Sequence, residues 1–279
     1  MIGGVELRRE RNLGEIVSDA FTILLAAWRP LALVVIPVVA FSIATQLAIF
    51  AVDDDISNAM FDNAEFQKKV EDYFDRVDQD PDASFDFDVS PVSIIILVAS
   101  VPIGFLLTVL TSAALVVYLD RTDRGETLTS SDALDIAQGR LGPMIGATIR
   151  ATAIILLLCI TVIGIPFAIY RMVRWCFLSM VVMIESIAGQ PVLARSAELV
   201  QGQWWNTLGR LLVVYLVISI PTGIFTQAVA AAFPGIGGIL LSAAATFITT
   251  PFGIIGVSLM FFDRQARKEP QPHDQLSPA

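Results

Sequence analysis

Long apolar runs separated by short polar stretches dominate the chain. The runs are Leu31–Val52, Val92–Tyr118, about Met144–Ile169, about Met172–Ile187, Leu211–Phe233 and about Ile239–Phe262. The first has 22 residues, or about 33 Å at the rise of an α-helix, enough to cross a bilayer core. The pattern therefore predicts six membrane spans. The fourth is the weakest, being short and carrying Glu185, and only Pro166 and a turn near Tyr170–Arg171 separate it from the third. Residues 1–30 precede the spans and 263–279 follow as a tail.

A second periodicity lies ahead of the first span. Leu13, Ile16, Val17, Ala20, Phe21, Leu24 and Trp28 follow helical spacing, with Glu15, Ser18, Asp19 and Thr22 on the other face. Asn12 and Glu15 have the spacing of a capping box. Beside a span and rich in arginine, such a helix is expected to lie in the cytoplasmic interface.

The pattern recurs. Ser18-Asp19-Ala20 returns as Ser131-Asp132-Ala133 and, more loosely, as Arg195-Ser196-Ala197. Counting from each alanine, the third position is Ile23, Ile136 or Val200. The eighth is Trp28, Leu141 or Trp205, and the eleventh Leu31, Met144 or Leu208. Three repeats are expected, each an interfacial helix, an outward span, a turn and a return span. The first and third also end alike, Tyr118-Leu119-Asp120-Arg121 and Phe261-Phe262-Asp263-Arg264, whereas the second ends in Ile184-Glu185-Ser186. The fold class read from the sequence is all-α, a polytopic membrane bundle of six spans in three hairpins with cytoplasmic interfacial helices.

Composition agrees. Of 279 residues, 55% are hydrophobic and 16% charged, against about 25% charged in a soluble domain. This argues against a disordered chain, a disulfide scaffold and a nucleic-acid-binding module. Cys159 and Cys176 lie in apolar runs and read as small hydrophobes. The net charge of −9 is local: residues 53–90 hold thirteen acids and three bases, and the rest of the chain is close to neutral. This acidic loop reads either as a solvated surface or as a site for a cation or basic partner. Met60, Ala64, Phe66, Val70, Tyr73, Phe74 and Val77 predict an amphipathic helix within it, and Phe85, Phe87 and Val89 an extended stretch. Asp78, Asp80 and Asp82 alternate as in a calcium loop, but the glycine and closing glutamate of an EF-hand are missing.

Basic residues orient the chain. Arg8, Arg9, Arg11, Arg29, Arg121, Arg124, Arg140, Arg150, Arg195, Arg210, Arg264, Arg267 and Lys268 fall on one side; Lys68, Lys69, Arg76, Arg171 and Arg174 fall on the other. Both termini are therefore expected in the cytoplasm, with the loop at 53–91 outside an inner (plasma) membrane and the first span retained rather than cleaved.

Arg174-Trp175, Glu185, Gln190-Pro191-Val192-Leu193-Ala194-Arg195-Ser196, Gly202-Gln203-Trp204-Trp205 and the closing Phe261–Glu269 run together resemble a group of prokaryotic six-helix membrane proteins. That family is labelled the glycerophosphoryl diester phosphodiesterase membrane domain. The opening Leu13-Gly14-Glu15-Ile16 and Asp19-Ala20-Phe21 are similar to it as well. The resemblance covers nearly the whole chain except the acidic loop. It implies a membrane part without its own catalytic motif, the family name coming from members fused to a soluble phosphodiesterase domain.

The residues offer little chemistry. The one histidine, His273, sits in a Pro-rich tail, which argues against a histidine-dependent triad or a catalytic metal site. No catalytic residue, metal ligand or cofactor is assigned. The candidate site is a polar cluster at membrane depth: Arg150, Arg171, Arg174, Glu185 and Arg195. Such charges are costly in lipid and commonly functional. Glu185 has two candidate partners, Arg150 and Arg195; a solute or lipid-headgroup site and simple snorkelling of the arginines are the other readings. Pro37, Pro102, Pro166, Pro221 and Pro251 mark breaks or kinks in five spans. The expected function is a membrane scaffold or accessory component without catalysis; the alternative is a carrier or flippase-like protein for a small solute or lipid. Membrane lipids and a membrane-protein partner are the expected contacts, nucleic acid is not, and the oligomeric state is left open.

Overall fold

The computed structural model describes residues 1–52, 63–80, 90–189, 191–233 and 235–268; at 63–66, 78 and 79 it describes the backbone alone. The structure is all-α. In chain order the helices are α1 (Leu13–Ala26), α2 (Trp28–Phe50), α3 (Asn63–Gln79), α4 (Pro91–Asp123), α5 (Ser130–Gln138), α6 (Leu141–Cys159), α7 (Gly164–Arg174), α8 (Leu178–Met183), α9 (Pro191–Val200), α10 (Trp204–Ala232) and α11 (Ile236–Lys268). Six stretches are long and apolar enough to cross a membrane: α2, α4, α6, the α7–α8 pair, α10 and α11. The chain is a multi-pass membrane protein.

The threefold pattern is visible in the element order. Each of α2, α6 and α10 is preceded, across one to three residues, by a short helix: α1, α5 or α9. The starts of the first two short helices have a local cause. Asn12 and Glu15 form a complete capping box on α1, and Thr129 and Asp132 another on α5, so the free N–H groups of the first turn are met by side chains. The alanines that align the repeats, Ala20, Ala133 and Ala197, are all buried. On α1 the buried face is Ile16, Ala20, Ile23 and Leu24, while Phe21 and Leu25 are exposed, as is Trp28 at the start of α2. The helix thus has one face in the core and an exposed apolar flank.

Two boundaries differ most from the sequence reading. The third span stops at Cys159, and the fourth begins at Gly164. Pro166 does not separate them. It is the third residue of α7, in the first turn, where a missing N–H breaks no helical bond. The turn is made possible by Gly164, where a Cβ would fall 1.9 Å from the carbonyl oxygen of Leu158. The fourth span is broken instead at Trp175–Phe177, between α7 and α8. Pro37, Pro102, Pro221 and Pro251 lie inside continuous helices; one lost hydrogen bond does not end a helix that lipid leaves no other way to satisfy its backbone.

The helices form two compact bodies. The first contains Met1–Val35, Thr108–Ile218 and the part of α11 from Ile248; the second contains the described residues of Ile36–Leu107 and Ser219–Phe247. The first holds α1, α5–α9 and most of the buried core, including Leu31, Leu115, Phe177, Val181, Phe252, Phe261 and Phe262. Within it Gly256 lets α11 approach α10 closely, since a Cβ there would lie 2.5 Å from a methyl of Val214. In the second body Gly235, at φ +77°, makes the turn into α11, and Gly237 and Gly238 already belong to that helix.

The amphipathic helix expected in the acidic loop is α3. Its Phe74 is largely exposed, and Val70, Tyr73 and Val77 are half-buried. Met60, Asp82 and the stretch with Phe85, Phe87 and Val89 lie outside the described residues.

Candidate functional site

A network of buried, paired charges lies in the first body, where the helix ends meet the N-terminal segment. Helix α11 runs past the predicted end of the sixth span, so Asp263, Arg264 and Arg267 occupy its last turns. Asp263 is fully buried. Its carboxylate accepts the backbone N–H of Arg11 at 2.8 Å, Nη1 of Arg210 at 2.5 Å and Nε of Arg267, one helical turn away, at 2.8 Å. Arg210 and Arg267 also donate to the carbonyl of Arg11 at 3.3 and 3.1 Å. Three donors, two of them cationic, thus converge on this one carboxylate.

Arg11 is itself 1% exposed. Its guanidinium donates to Asp19 at 2.8 Å and to the carbonyls of Leu7 at 2.6 Å and Arg9 at 3.2 Å, and it also reaches the carbonyl of Glu6. The five N–H groups of a buried arginine need such acceptors, because leaving a charged donor unmet in the interior is expensive. Arg264 is buried too, held by Gln203 and by Thr207 at 3.3 Å.

The first repeat ends in the same way. Asp120 is buried, 2.6 Å from Arg8 and 3.0 Å from Arg124. Asp123 accepts the N–H of Leu7 at 3.2 Å and faces the N-terminal ammonium at 3.7 Å. Arg8 also lies over the Phe262 ring, 5.2 Å from its centroid. The N-terminal segment is thus fastened to the ends of α4 and α11. The sequence reading did not place Arg8, Arg11, Asp120, Arg210 or Asp263 in the candidate site. The signal available for it was the paired ending Leu-Asp-Arg and Phe-Asp-Arg of the first and third repeats.

Of the predicted cluster, the structure joins Glu185 and Arg195. Arg195 donates to both oxygens of Glu185, at 2.8 and 3.1 Å, and lies 3.3 Å from Glu198. Arg150 is exposed on α6 and makes no ion pair among the described residues. The Arg150–Glu185 pairing is therefore replaced by Arg195–Glu185. Glu185 lies past the end of α8, facing α9, and Arg195 projects from α9 with a fork that fits a carboxylate.

Arg171 and Arg174 occupy the last turn of α7. Their guanidinium carbons stand 5.5 Å from the ring centroids of Trp175 and Tyr170 respectively. Both were assigned by sequence to the side of the acidic loop. The contacts set this end of α7 against α9 and the start of α10: Ser196 of α9 donates to the carbonyl of Arg174 at 3.0 Å, and the Trp204 indole N–H donates to the carbonyl of Tyr170 at 3.2 Å. Helix α7 has 11 residues, about 16 Å at helical rise, so its arginine end reaches α9 and the start of α10 before the span is complete. A groove of about 270 Å³ opens there, lined by Arg171, Arg174 and Trp175 on one side and by Leu193, Ala194, Ala197, Glu198 and Gln201 on the other.

Cys159 and Cys176 are unpaired, His273 lies outside the described residues, and among the described residues no three metal-ligating side chains gather. No family model, no curated protein and no solved structure matches the chain.

Proposed function

We propose that this protein is a non-catalytic scaffold or accessory subunit of a membrane assembly, with the first body as its docking platform. One observation carries this reading: the carboxylates at the ends of the return spans, buried at Asp120 and Asp263 and half-buried at Glu185, are engaged by arginines of the N-terminal segment, α9, α10 or their own helix. Charges so matched stiffen a surface and specify one arrangement of short helices. They are poorly suited to a turnover site, which needs groups left to act on a substrate. The resemblance to the membrane part of the phosphodiesterase family is proposed with it, and agrees with a part that serves other domains or chains.

The orientation is part of the proposal: an inner (plasma) membrane protein with cytoplasmic termini. With Arg171 and Arg174 counted beside α9, fifteen of the eighteen basic residues fall on the cytoplasmic side and three on the other, which strengthens the positive-inside argument. The test is native mass spectrometry of the full chain after mild extraction from its own membrane. A second protein retained at fixed stoichiometry supports the scaffold. Its absence, together with solute or lipid movement in vesicles reconstituted with the purified chain, overturns it in favour of a carrier.

A further inference from the structure

We infer that the groove between α7 and α9 seats the phosphate of an anionic phospholipid headgroup. This does not depend on the scaffold reading.

The argument begins with charge. Arg171 and Arg174 lie three residues apart on the last turn of α7, so both project to one side of it. Neither has a carboxylate within ion-pair distance among the described residues, and Glu198, the one carboxylate that lines the groove, is already engaged by Arg195 at 3.3 Å. Each guanidinium lies over an aromatic ring. Such stacking engages the face of the group and leaves edge N–H donors for a ligand. Nη1 of Arg174 donates to the Tyr170 hydroxyl at 3.4 Å; the remaining edge donors of the two arginines suit the tetrahedral oxygens of a phosphate.

The walls and the depth select a lipid. Trp175, Leu193, Ala194 and Ala197 give the groove an apolar side along which a glycerol backbone and the start of an acyl chain can lie. Beside it, Tyr170 stacks on Arg174, Trp204 is tied to Tyr170, and Trp205, against Trp204, is 79% exposed. Tryptophan and tyrosine collect where hydrocarbon gives way to headgroups. The groove thus sits at headgroup level, with cations where the phosphate is and apolar residues where the chains begin. Free phosphate would gain nothing from that apolar wall.

The test uses the full chain, delipidated in mild detergent, with phosphatidylglycerol and phosphatidylcholine as competing probes and native mass spectrometry as the readout. Phosphatidylglycerol is expected to be retained in preference to phosphatidylcholine. The double variant R171Q/R174Q should retain it about thirty-fold less well, as two interfacial charges imply, while R171K/R174K keeps part of the preference. A194W, at an exposed position on the groove wall, should also expel the lipid with both arginines intact, and decides the matter if the arginine variants fail to fold. Equal retention of the two lipids, undiminished retention by R171Q/R174Q or A194W, or displacement of the lipid by millimolar inorganic phosphate would overturn the inference.

Discussion

Asp263 accepts a hydrogen bond from the backbone N–H of Arg11 at 2.8 Å, across 252 positions of sequence. The last helix therefore holds the first segment of the chain, and does so through a main-chain donor that no side-chain substitution at position 11 other than proline removes. Asp120 holds the same segment through Arg8. The two aspartates occupy matching positions in the first and third repeats, and Glu185 does similar work in the second by gripping Arg195.

The two aspartates should differ in strength. Asp263 is fully buried and its removal strands Arg210, so Asp263→Ala is expected to cost about 3–5 kcal/mol. Arg8 and Arg124 are 31% and 49% exposed, and water can take over their solvation; Asp120→Ala should cost about 1–2 kcal/mol. Denaturant or thermal unfolding of the two variants in the same detergent checks the order, and equal losses would refute it.

The partner of Glu185 is testable by exchange. The variants E185R and R195E should each destabilise, and the double E185R/R195E should recover part of the loss, with a coupling of about 1–3 kcal/mol. Arg150→Gln, by contrast, should change stability by no more than about 0.5 kcal/mol. A coupling of zero between positions 185 and 195, or a large one between 150 and 185, contradicts the geometry.

Gly164 should tolerate no side chain. An added methyl would meet the carbonyl oxygen of Leu158 at 1.9 Å, so Gly164→Ala must reshape the turn between α6 and α7 at a cost of about 1–3 kcal/mol. Gly142, with open space around it, serves as the control: Gly142→Ala should be neutral or mildly stabilising. Melting curves of the pair settle the comparison.

The capping boxes predict a pH dependence. The backbone N–H of Asn12, followed by Arg9, holds the Glu15 carboxyl below its ordinary value; Thr129, through its hydroxyl and its N–H, does the same for Asp132. A depressed folded value means stability that is present above the unfolded value and lost as pH falls through the folded one. The first turns of α1 and α5 should therefore loosen as the solution is acidified through and below the normal carboxylate range. Hydrogen-exchange protection of these turns, compared between neutral and acid pH, should fall; unchanged protection would show that the boxes contribute nothing.

Much of the architecture is legible without coordinates, because it depends on local rules. Apolar runs of bilayer length specify helices, since only a helix satisfies its own backbone in lipid. The α1 cap was readable from Asn12 and Glu15, and the recurrence of short helix and span from the spacing behind Ala20, Ala133 and Ala197. Arg195 was visible as one of two candidate partners for Glu185. The chain by itself could not decide between them, nor place Arg171 and Arg174, nor show that Asp263 binds Arg11 and Arg210. Each of these depends on where a span stops and what it then packs against. Helix α7 reaches α9 with its arginines because the turn falls at Gly164 rather than near Tyr170, and Arg150 is left exposed while α9 presents Arg195 to Glu185. Sequence determines helices through interactions within a few residues; which charges neutralise one another is decided by packing between segments far apart in the chain, and only the tertiary structure supplies that.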